Sequence, residues 1–447
     1  MERVIPPAAD EAATKVESFP ASDPASASKP PMEAQAPGMS TLRALEPKIL
    51  LGANEATSQF GLLGKFGDDD VGIDLTGCNT ISLFGVQGFG KSYTLGVIAE
   101  MASQAMGGIN RLPSPLATVI FHYHKSDAYP PEFATAMQPN GKQREVERLL
   151  AEYQARPEGI NDLVILTPAG KVEQRRREFP GIEVRPILFS SRELGTESWK
   201  FLLGLHGNDA MYVRQMVAIM RKHRENLTLE ALRQEIAHTD LPPNLRRLSE
   251  DRIRLAEPYI ADEANLREVL RPGRTVIVDL RDEWIEKEEA LGLFVVMMRT
   301  FALARFEDRE FNKLVIFDEA HKYIAVPELV GQLVEVIREM RHLGTSIVIA
   351  SQDPRSVPRE VIELSSIALL HRMTSPDWFK HLRNAIVALN HIPEEQLATL
   401  SPGEAFAWAQ RCTDERLTRK PHKLKIRPRM SHHGGATKRA IDDGTLR

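Results

Sequence analysis

A glycine-rich stretch near position 90 carries the residue types that bind phosphate groups. Residues 85–92 read Gly-Val-Gln-Gly-Phe-Gly-Lys-Ser, which fits the pattern G-x-x-x-x-G-K-[ST] between an apolar run and a helical pattern. Glycines let backbone N–H groups converge on phosphate oxygens, and a helix start adds the positive end of its dipole. We therefore expect Lys91 to contact the β- and γ-phosphates of a nucleoside triphosphate and Ser92 to ligate Mg²⁺, the alternative being a glycine-rich turn with a surface lysine. The residues assigned to the nucleotide are Gly85, Gln87, Gly88, Phe89, Gly90, Lys91, Ser92 and Tyr93.

Two other apolar runs end in polar side chains that suit the same chemistry. The run 314–317 is followed by Asp318 and Glu319. Asp318 would hold Mg²⁺, usually through water, and Glu319 would orient and deprotonate the attacking water. Gln352 follows the run 346–350 and would hydrogen-bond the γ-phosphate or that water, as a sensor of hydrolysis. Taken alone, Asp318 and Glu319 could be an exposed strand end, and Gln352 could be an amide in a turn. Their combination with residues 85–92 favours a catalytic role.

An arginine at the end of the helical pattern 327–343 is a candidate for catalysis between subunits. At about 100° per residue, Arg341 lies at the edge of the apolar stripe, whereas Arg338 points nearly opposite to it. Arg341 could project into the nucleotide site of a neighbouring subunit and neutralise charge in the transition state. The alternative is a solvated charge on the helix face, which we expect for Arg338. The stripe consists of Leu329, Leu333, Val336, Ile337 and Met340.

Apolar runs alternate with helical patterns along most of the chain. Several runs are continuous and rich in β-branched residues, which is typical of strands covered on both faces. This arrangement predicts an α/β fold with a mostly parallel sheet flanked by helices. The predicted strands are 80–84, 118–121, 163–166, 187–189, 275–280, 314–317, 346–350, 367–370 and 422–427, and the clearest helices are 92–105, 288–306 and 327–343.

Composition divides the chain into five segments. Residues 1–47 are rich in Pro, Ala and Ser and predict a disordered leader. The α/β core is expected in two parts, 48–207 and 271–428. Between them, residues 208–270 lack strand signals and show consecutive helical patterns, which predicts an all-α insertion. Residues 429–447 are expected to be a polar C-terminal tail.

Charge and cysteine content exclude several classes of protein. The 447 residues carry a formal net charge of −4, so the chain is no histone-like polycation and any nucleic-acid surface must be local. Cys78 and Cys412 lie far apart in sequence, which argues against a disulfide framework or structural zinc and favours the reducing cytoplasm. The most apolar stretch, 291–306, is too short for a membrane span and contains two arginines, so we expect no membrane contact.

Several motifs together resemble the HerA-type ATPases of the HerA–FtsK group of hexameric DNA-translocating motors. The similarity extends over about residues 58–435, and its motifs are 82–92, Asp-Glu-Ala-His-Lys-Tyr at 318–323, Arg-His-Leu-Gly at 341–344, Ser-Gln-Asp-Pro at 351–354, and 427–435. The resemblance implies a RecA-like core, ATP and Mg²⁺ as cofactors, a homohexameric ring, and double-stranded DNA in its channel. It also implies Lys91, Ser92, Asp318 and Glu319 as the hydrolytic set, Gln352 as sensor and Arg341 as a finger acting in trans.

The chain departs from that family in three places. The polar leader leaves no room for the N-terminal β-barrel common in the family. Residues 122–127 read His-Tyr-His-Lys-Ser-Asp, where the family commonly has a stretch like Asp-x-His-Gly-Glu-Tyr. Met340 precedes Arg341, where the family usually has glycine. The sequence Asp-Glu-Ala-His at 318–321 also occurs in a class of RNA helicases, but the other motifs of that class are not found here. His321 is therefore expected to be a local orienting or core group.

The resemblance implies a motor that couples ATP hydrolysis to translocation on duplex DNA and serves a nuclease or other effector, in DNA processing or anti-phage defence. Two alternatives stay open: an ATP-gated scaffold that regulates an effector without sustained translocation, and a coupling ATPase of conjugation or secretion.

Basic clusters are candidate DNA contacts, although each is also compatible with a solvated face. They are Lys171 with 175–177, Arg221 with Lys222 and Arg224, Arg246 with Arg247, and the segment 416–429.

Overall fold

A computed structural model describes residues 46–205, 210–324 and 327–435 of the chain. Almost all of the expected leader and the end of the expected C-terminal tail lie outside these ranges. In the described residues, strands and helices form a mostly parallel sheet with helices on both faces, as the sequence predicts.

Fourteen strands in the described residues form one sheet. Its order is β1-β3-β2-β14-β13-β12-β4-β11-β10-β6-β9-β7-β8, and β5 pairs with β2. The strands from β12 to β8 in that order are parallel, whereas β13, β14 and β2 pair antiparallel. The bounds are β1 Ile49–Leu51, β2 Phe60–Phe66, β3 Asp69–Asp74, β4 Thr80–Phe84, β5 Asn110–Arg111, β6 Ala117–His124, β7 Leu163–Thr167, β8 Glu183–Pro186, β9 Thr275–Arg281, β10 Lys313–Phe317, β11 Thr345–Ser351, β12 Ile367–Leu370, β13 Glu404–Ala409 and β14 His422–Ile426.

The helices cover the two faces of this sheet. They are α1 Lys91–Ser103, α2 Gln143–Tyr153, α3 Val172–Glu178, α4 Thr196–Leu202, α5 Met211–His223, α6 Leu229–His238, α7 Pro243–Ala256, α8 Lys287–Ala302, α9 Pro327–His342, α10 Arg359–Glu363, α11 Pro376–Ala385, α12 Glu394–Ala398 and α13 Glu415–Arg419. α1, α2, α3 and α13 contribute to one apolar core, and α4 to α12 contribute to the other. No helix in the described ranges combines the length and apolar character that crossing a lipid bilayer requires.

The burial of strand β10 on both faces explains why its sequence is continuously apolar. Leu314 and Ile316 belong to one core, whereas Val315 and Phe317 belong to the other. Successive side chains of a strand point to opposite faces, so a strand covered on both faces needs apolar residues at every position. The continuous runs therefore identified the central strands correctly.

The predicted strand at 187–189 is wrong. The strand lies just before it, as β8, and pairs with β7 at the edge of the sheet. Ile187 and Phe189 are fully buried. The Ile187 N–H donates to the Thr167 carbonyl at the end of β7, and Phe189 forms an isolated bridge to Ile260. The apolar residues that suggested a strand thus fill the core from a connecting segment, while the actual edge strand is partly exposed.

The helices α5, α6 and α7 pack against one another between β8 and β9. Thr228 caps α6, because its hydroxyl accepts a hydrogen bond from the Ala231 N–H. Met216, Leu232 and Ile253 are buried in the same apolar core as the inward-facing residues of α8. The described residues from 210 to 259 contain helices and turns and no strand.

A C-terminal segment, residues 427–435, packs against α1. Arg427 is fully buried and its Nη1 donates to Glu100 Oε1 at 2.7 Å. Glu100 also accepts hydrogen bonds from the backbone N–H groups of Met430 and Ser431 and from the Ser431 hydroxyl. Arg429, which the sequence placed in a polar tail, is 1% exposed and lies beside Gly96 of α1. This buried network ties the end of the described chain to the helix that follows the glycine-rich loop.

Replacing Glu100 by glutamine should destabilise the fold by about 3–5 kcal/mol, because it leaves the buried guanidinium of Arg427 without a balancing charge. The urea midpoint, followed by tryptophan fluorescence, measures this loss. Glu147→Gln on the exposed face of α2 is the matched control and should leave the midpoint unchanged. An equal midpoint for both variants would contradict the importance of the network.

Candidate nucleotide site

The glycine-rich loop lies at the carboxyl end of β4, where it turns into α1. Gly90 caps α1 with φ of 98°, in the left-handed region that favours glycine. Gly85 makes a close approach instead, since a Cβ at this position would lie 2.6 Å from Cβ of His371. Glycines thus give the loop its backbone shape, and the loop leads directly into the start of a helix, where N–H groups bind anions.

His371 supports this loop from below. It follows β12, the neighbour of β4, and its side chain is fully buried. Its Nε2 lies 2.9 Å from Thr94 Oγ1 and its Nδ1 lies 2.8 Å from the Glu404 carbonyl oxygen, so Nδ1 donates and Nε2 accepts. Burial lowers the pKa of His371 to about 4, which keeps the ring neutral at physiological pH. No motif or spacing in the sequence distinguishes His371 from the other histidines.

Lys91, Glu319 and Gln352 meet at the carboxyl ends of three adjacent strands. Lys91 Nζ donates to Glu319 Oε1 at 2.8 Å, and Gln352 Nε2 donates to the same oxygen at 2.6 Å. β11 lies between β4 and β10, so Gln352 extends from the strand between the loop and the carboxylates. Three residues that are far apart in the sequence therefore form one hydrogen-bonded group. Lys91 is only 3% exposed.

Asp318 is buried beside this group. Its Oδ1 has no hydrogen-bond partner, and its Oδ2 lies 4.0 Å from His122 Nδ1. The backbone carbonyl of Asp318 accepts a hydrogen bond from the Tyr323 hydroxyl at 2.9 Å, which anchors the turn after β10. His122 was not predicted as a site residue. His122 lies within β6, one position after the register pair Phe121 and Phe317, so it is level with Asp318 on the adjacent strand. Alignment of the two neighbouring strands was the signal that could have identified it.

Burial and charge set the protonation of the two acidic residues. Burial raises the pKa of Asp318, and the neighbouring Glu319 carboxylate adds to the rise despite the opposing charge of Lys91. Burial alone would also raise the pKa of Glu319, but the charge of Lys91 and the hydrogen bonds from Lys91 and Gln352 lower it below its ordinary value. Glu319 is therefore held as the carboxylate, the form that can accept a proton from water.

His321 lies next to Glu319, with 3.3 Å between its Nδ1 and Glu319 Oε2. Burial lowers the pKa of His321, so the ring is neutral at physiological pH. Glu319 itself has φ of 50°, an unusual left-handed conformation for a residue with a side chain, and it begins the short 3₁₀ helix Ala320–Lys322. The tight turn after β10 thus places His321 beside the Glu319 carboxylate.

The loop residues differ in what they contact. The guanidinium of Arg372 stacks over the Phe89 ring at 4.6 Å, and Gln87 is exposed at the tip of the loop. Tyr93 points away from the loop: its hydroxyl donates to Glu145 Oε2 at 2.6 Å and accepts from the Arg429 N–H at 2.7 Å. Any contact between Tyr93 and a nucleotide would thus involve its backbone.

Arg341 lies at the end of the sheet opposite to the glycine-rich loop, where the parallel strands begin. It is exposed in the last turn of α9, just before β11 begins, and its charge lowers the pKa of Cys78, although burial of that thiol raises it overall. Cys78 precedes β4, whereas the glycine-rich loop follows β4, and a five-residue strand is about 16 Å long. Arg341 therefore cannot reach the site of its own chain. Arg338 is exposed, as expected.

The proposed DNA contact at 175–177 needs correction. Arg175 is completely buried and pairs with Asp127, Glu178 and Asp279. Lys171 also pairs with Asp127. Arg427 and Arg429 are likewise buried, so the carboxyl end of the basic segment 416–429 is closed to DNA, whereas Arg416 at its other end is exposed. The buried arginines balance internal carboxylates, whose positions in the fold the local sequence does not reveal. Arg176 and Arg177 are exposed and remain candidates.

The site residues fit a magnesium nucleotide. Asp318 offers a buried oxygen without a partner, and Lys91 with the start of α1 offers positive charge. The described residues contain no group of three or more His, Cys, Asp or Glu placed to hold a metal ion by themselves. Mg²⁺ commonly binds through one or two protein oxygens together with phosphates and water, so Ser92 and Asp318 would suffice for it.

Comparison with known proteins reveals a shared fold. No family model and no curated protein matches the chain. The structure of VirB4 of Thermoanaerobacter pseudethanolicus superposes with a TM-score of 0.50 and 12% identity, covering 84% of this chain and 97% of that one. The chain has a RecA-like P-loop NTPase fold.

Two further structures resemble this P-loop NTPase fold more remotely. Plasmid coupling protein TrwB in complex with ADP and Mg²⁺ has a TM-score of 0.48 and 12% identity, covering 79% of this chain and 86% of that one. The genome packaging NTPase B204 from Sulfolobus turreted icosahedral virus 2, in complex with sulfate, has a TM-score of 0.35 and 11% identity, covering 80% and 99%. The fold assignment depends on VirB4 and on the strand order, and it confirms the predicted fold class.

Proposed function

We propose that this chain is a Mg²⁺-dependent ATPase of the HerA–FtsK type that forms a ring and translocates double-stranded DNA. The observation that carries the proposal is the group of Lys91, Glu319 and Gln352 at the carboxyl ends of the P-loop strand β4 and of the next two strands, β11 and β10. Buried Asp318 and the start of α1 complete a centre with the charge and geometry needed for phosphoryl transfer to water.

In the proposed mechanism, the P-loop N–H groups and Lys91 bind the phosphates. Bound phosphate oxygens would compete with Glu319 for Lys91, and the freed Glu319 carboxylate would then orient the attacking water and accept its proton. Gln352, which already contacts Glu319, is placed to sense the loss of the γ-phosphate. Ser92 and Asp318 would hold Mg²⁺, which supplies charge neutralisation on the phosphates.

Ring formation is supported by the position of Arg341. If an arginine at the end of the sheet opposite to its own P-loop acts as a finger, it acts on the site of another copy through a head-to-tail contact. Such contacts form a ring when the rotation between copies closes. The resemblance to the HerA–FtsK group supports six copies, duplex DNA in the channel, and service to a nuclease or other effector in DNA processing or anti-phage defence. Two unpaired cysteines in the described chain support action in the reducing cytoplasm.

Dependence of ATP hydrolysis on DNA length tests this function. A translocating motor should hydrolyse faster as duplexes lengthen at constant nucleotide concentration, because longer tracks allow more steps before dissociation. Steady-state phosphate release on duplexes of graded length measures this effect. A rate that is independent of length would support the ATP-gated scaffold, and recruitment to a secretion channel would support the coupling ATPase. Absence of hydrolysis under all conditions would reject all three.

A further inference from the structure

His122 lies at the hydrolytic site but has no part in the mechanism proposed above. Its side chain is 8% exposed, and its Nδ1 lies 4.0 Å from Asp318 Oδ2. The two residues are level with each other on the adjacent parallel strands β6 and β10. His122 is also the first residue of the stretch 122–127, in which this chain departs from the HerA family. A buried imidazole thus faces the carboxylate that is expected to hold Mg²⁺.

The backbone determines which nitrogen of His122 can accept a hydrogen bond. Nε2 lies 3.0 Å from the Tyr129 carbonyl oxygen, and because a carbonyl oxygen can only accept, Nε2 donates. Burial lowers the pKa of His122 despite the nearby charges of Asp279 and Asp318, so the ring is neutral at physiological pH. In a neutral imidazole that donates through one nitrogen, the other nitrogen is an acceptor. The nitrogen that faces Asp318 is therefore an acceptor.

Buried arginines hold the loop that supplies the Tyr129 carbonyl. The Asp127 carboxylate accepts from Arg175 Nη2 at 2.5 Å, and the Asp127 carbonyl oxygen accepts from Arg281 Nη1 at 2.8 Å. Both arginines are completely buried. The contact that orients the His122 ring is thus built into the fold and does not depend on a bound nucleotide.

His122 Nδ1 and the Asp318 carboxylate are spaced to share one donor. Nδ1 of His122 and Oδ1 of Asp318 are both buried and have no hydrogen-bond partner in the described structure, which is costly for acceptors. A separation of 4.0 Å is too long for a direct hydrogen bond. Two hydrogen bonds of about 2.8 Å from a single water molecule span roughly 4 to 4.5 Å. The waters that Mg²⁺ retains when it binds proteins are donors of this kind.

We propose that His122 is a positioning residue for Asp318, and that it accepts a hydrogen bond from the water molecule through which Asp318 holds Mg²⁺. His122 does not ligate the ion in this role. An indirect role needs no cluster of ligating side chains, and the described residues contain none. The inference depends on the proposed ATPase function, because it concerns the same magnesium nucleotide. Groups that orient the ligands of a metal ion typically contribute about 10- to 100-fold to metal affinity.

Nucleotide affinity with and without Mg²⁺ tests this role apart from turnover. AMPPCP is titrated into the full chain by calorimetry, once in Mg²⁺ and once in EDTA, and the ratio of the two dissociation constants gives the gain in affinity due to Mg²⁺. His122→Leu should reduce that gain at least about 10-fold. It should leave the AMPPCP affinity in EDTA unchanged, which also reports that the P-loop of the variant is folded. A wild-type gain in His122→Leu would overturn the proposal.

A conservative variant separates the acceptor atom from the space that the ring fills. The side-chain oxygen of asparagine can lie close to the position of Nδ1, so His122→Asn should retain more of the Mg²⁺ gain than His122→Leu. Equal losses in the two variants would overturn the role of Nδ1 as an acceptor.

The matched control is His381→Leu, since His381 Nε2 also lies within hydrogen-bond distance of a backbone carbonyl, that of Val357 at 3.2 Å. It should keep the wild-type Mg²⁺ gain. A loss in His381→Leu as large as in His122→Leu would show a general effect of removing a histidine and overturn the specific role. A wild-type chain that binds no AMPPCP in either condition would instead overturn the proposed function itself, which separates the two failures.

Discussion

Glu319→Gln is expected to lower the rate of ATP hydrolysis by about 10²- to 10⁴-fold, because an amide cannot accept the proton of the attacking water. The substitution preserves the shape of the side chain, and the amide oxygen can still accept hydrogen bonds from Lys91 and Gln352. ATP binding should therefore persist. Single-turnover hydrolysis and equilibrium binding of labelled ATP measure the two effects separately.

The control for this variant is Glu310→Gln, an exposed carboxylate in the segment before β10 whose partner is the exposed Arg305. It should hydrolyse ATP at the wild-type rate. Hydrolysis by Glu319→Gln within a few fold of wild type would show that another group activates the water. Loss of ATP binding together with turnover would instead indicate that the Lys91 and Glu319 pair is needed to shape the site.

Arg341→Ala is expected to lower hydrolysis by about 10³-fold without loss of ATP binding, which is the size of effect known for arginines that act in trans. The reason is geometric, because Arg341 lies at the edge of the sheet where β4 begins and the P-loop lies where it ends. Arg338→Ala on the same helix is the matched control and should retain activity, since Arg338 points into solvent.

Mixing the two inactive variants distinguishes action in trans from action in cis. In a ring of Glu319→Gln and Arg341→Ala subunits, an interface is complete where an intact Glu319 faces an intact Arg341. Random mixing at equal amounts makes about a quarter of the interfaces complete, so about a quarter of wild-type activity should return. Mixed rings as inactive as their parents would contradict a finger supplied by the neighbour.

The parts of the site that the sequence predicted are those encoded by contiguous residues. The P-loop could be recognised because its glycines, lysine and serine are adjacent, and the strand before it is buried on both faces. Asp318, Glu319 and Gln352 could be placed with it because parallel strands bring their carboxyl ends to one edge. The left-handed conformation of Glu319 was not predictable, since nothing in its residue type favours it.

The residues that the sequence did not reveal depend on contacts between distant segments. His371 reaches the site from the strand next to β4, and it belongs to no spaced pattern in the sequence. Arg175 was misjudged for the related reason that its carboxylate partners include Asp279, more than a hundred residues away. Charge runs report composition, whereas burial of a charge depends on the partners that the fold brings to it.

The strand order also constrains when the nucleotide site can form during synthesis. β4 carries the P-loop, yet both of its neighbours, β11 and β12, are encoded about 260 residues or more after it. At typical translation rates the ribosome needs roughly 15 to 50 seconds to reach them. Until then the P-loop strand has exposed edges, and nascent chains would depend on chaperones or on delayed collapse to avoid aggregation.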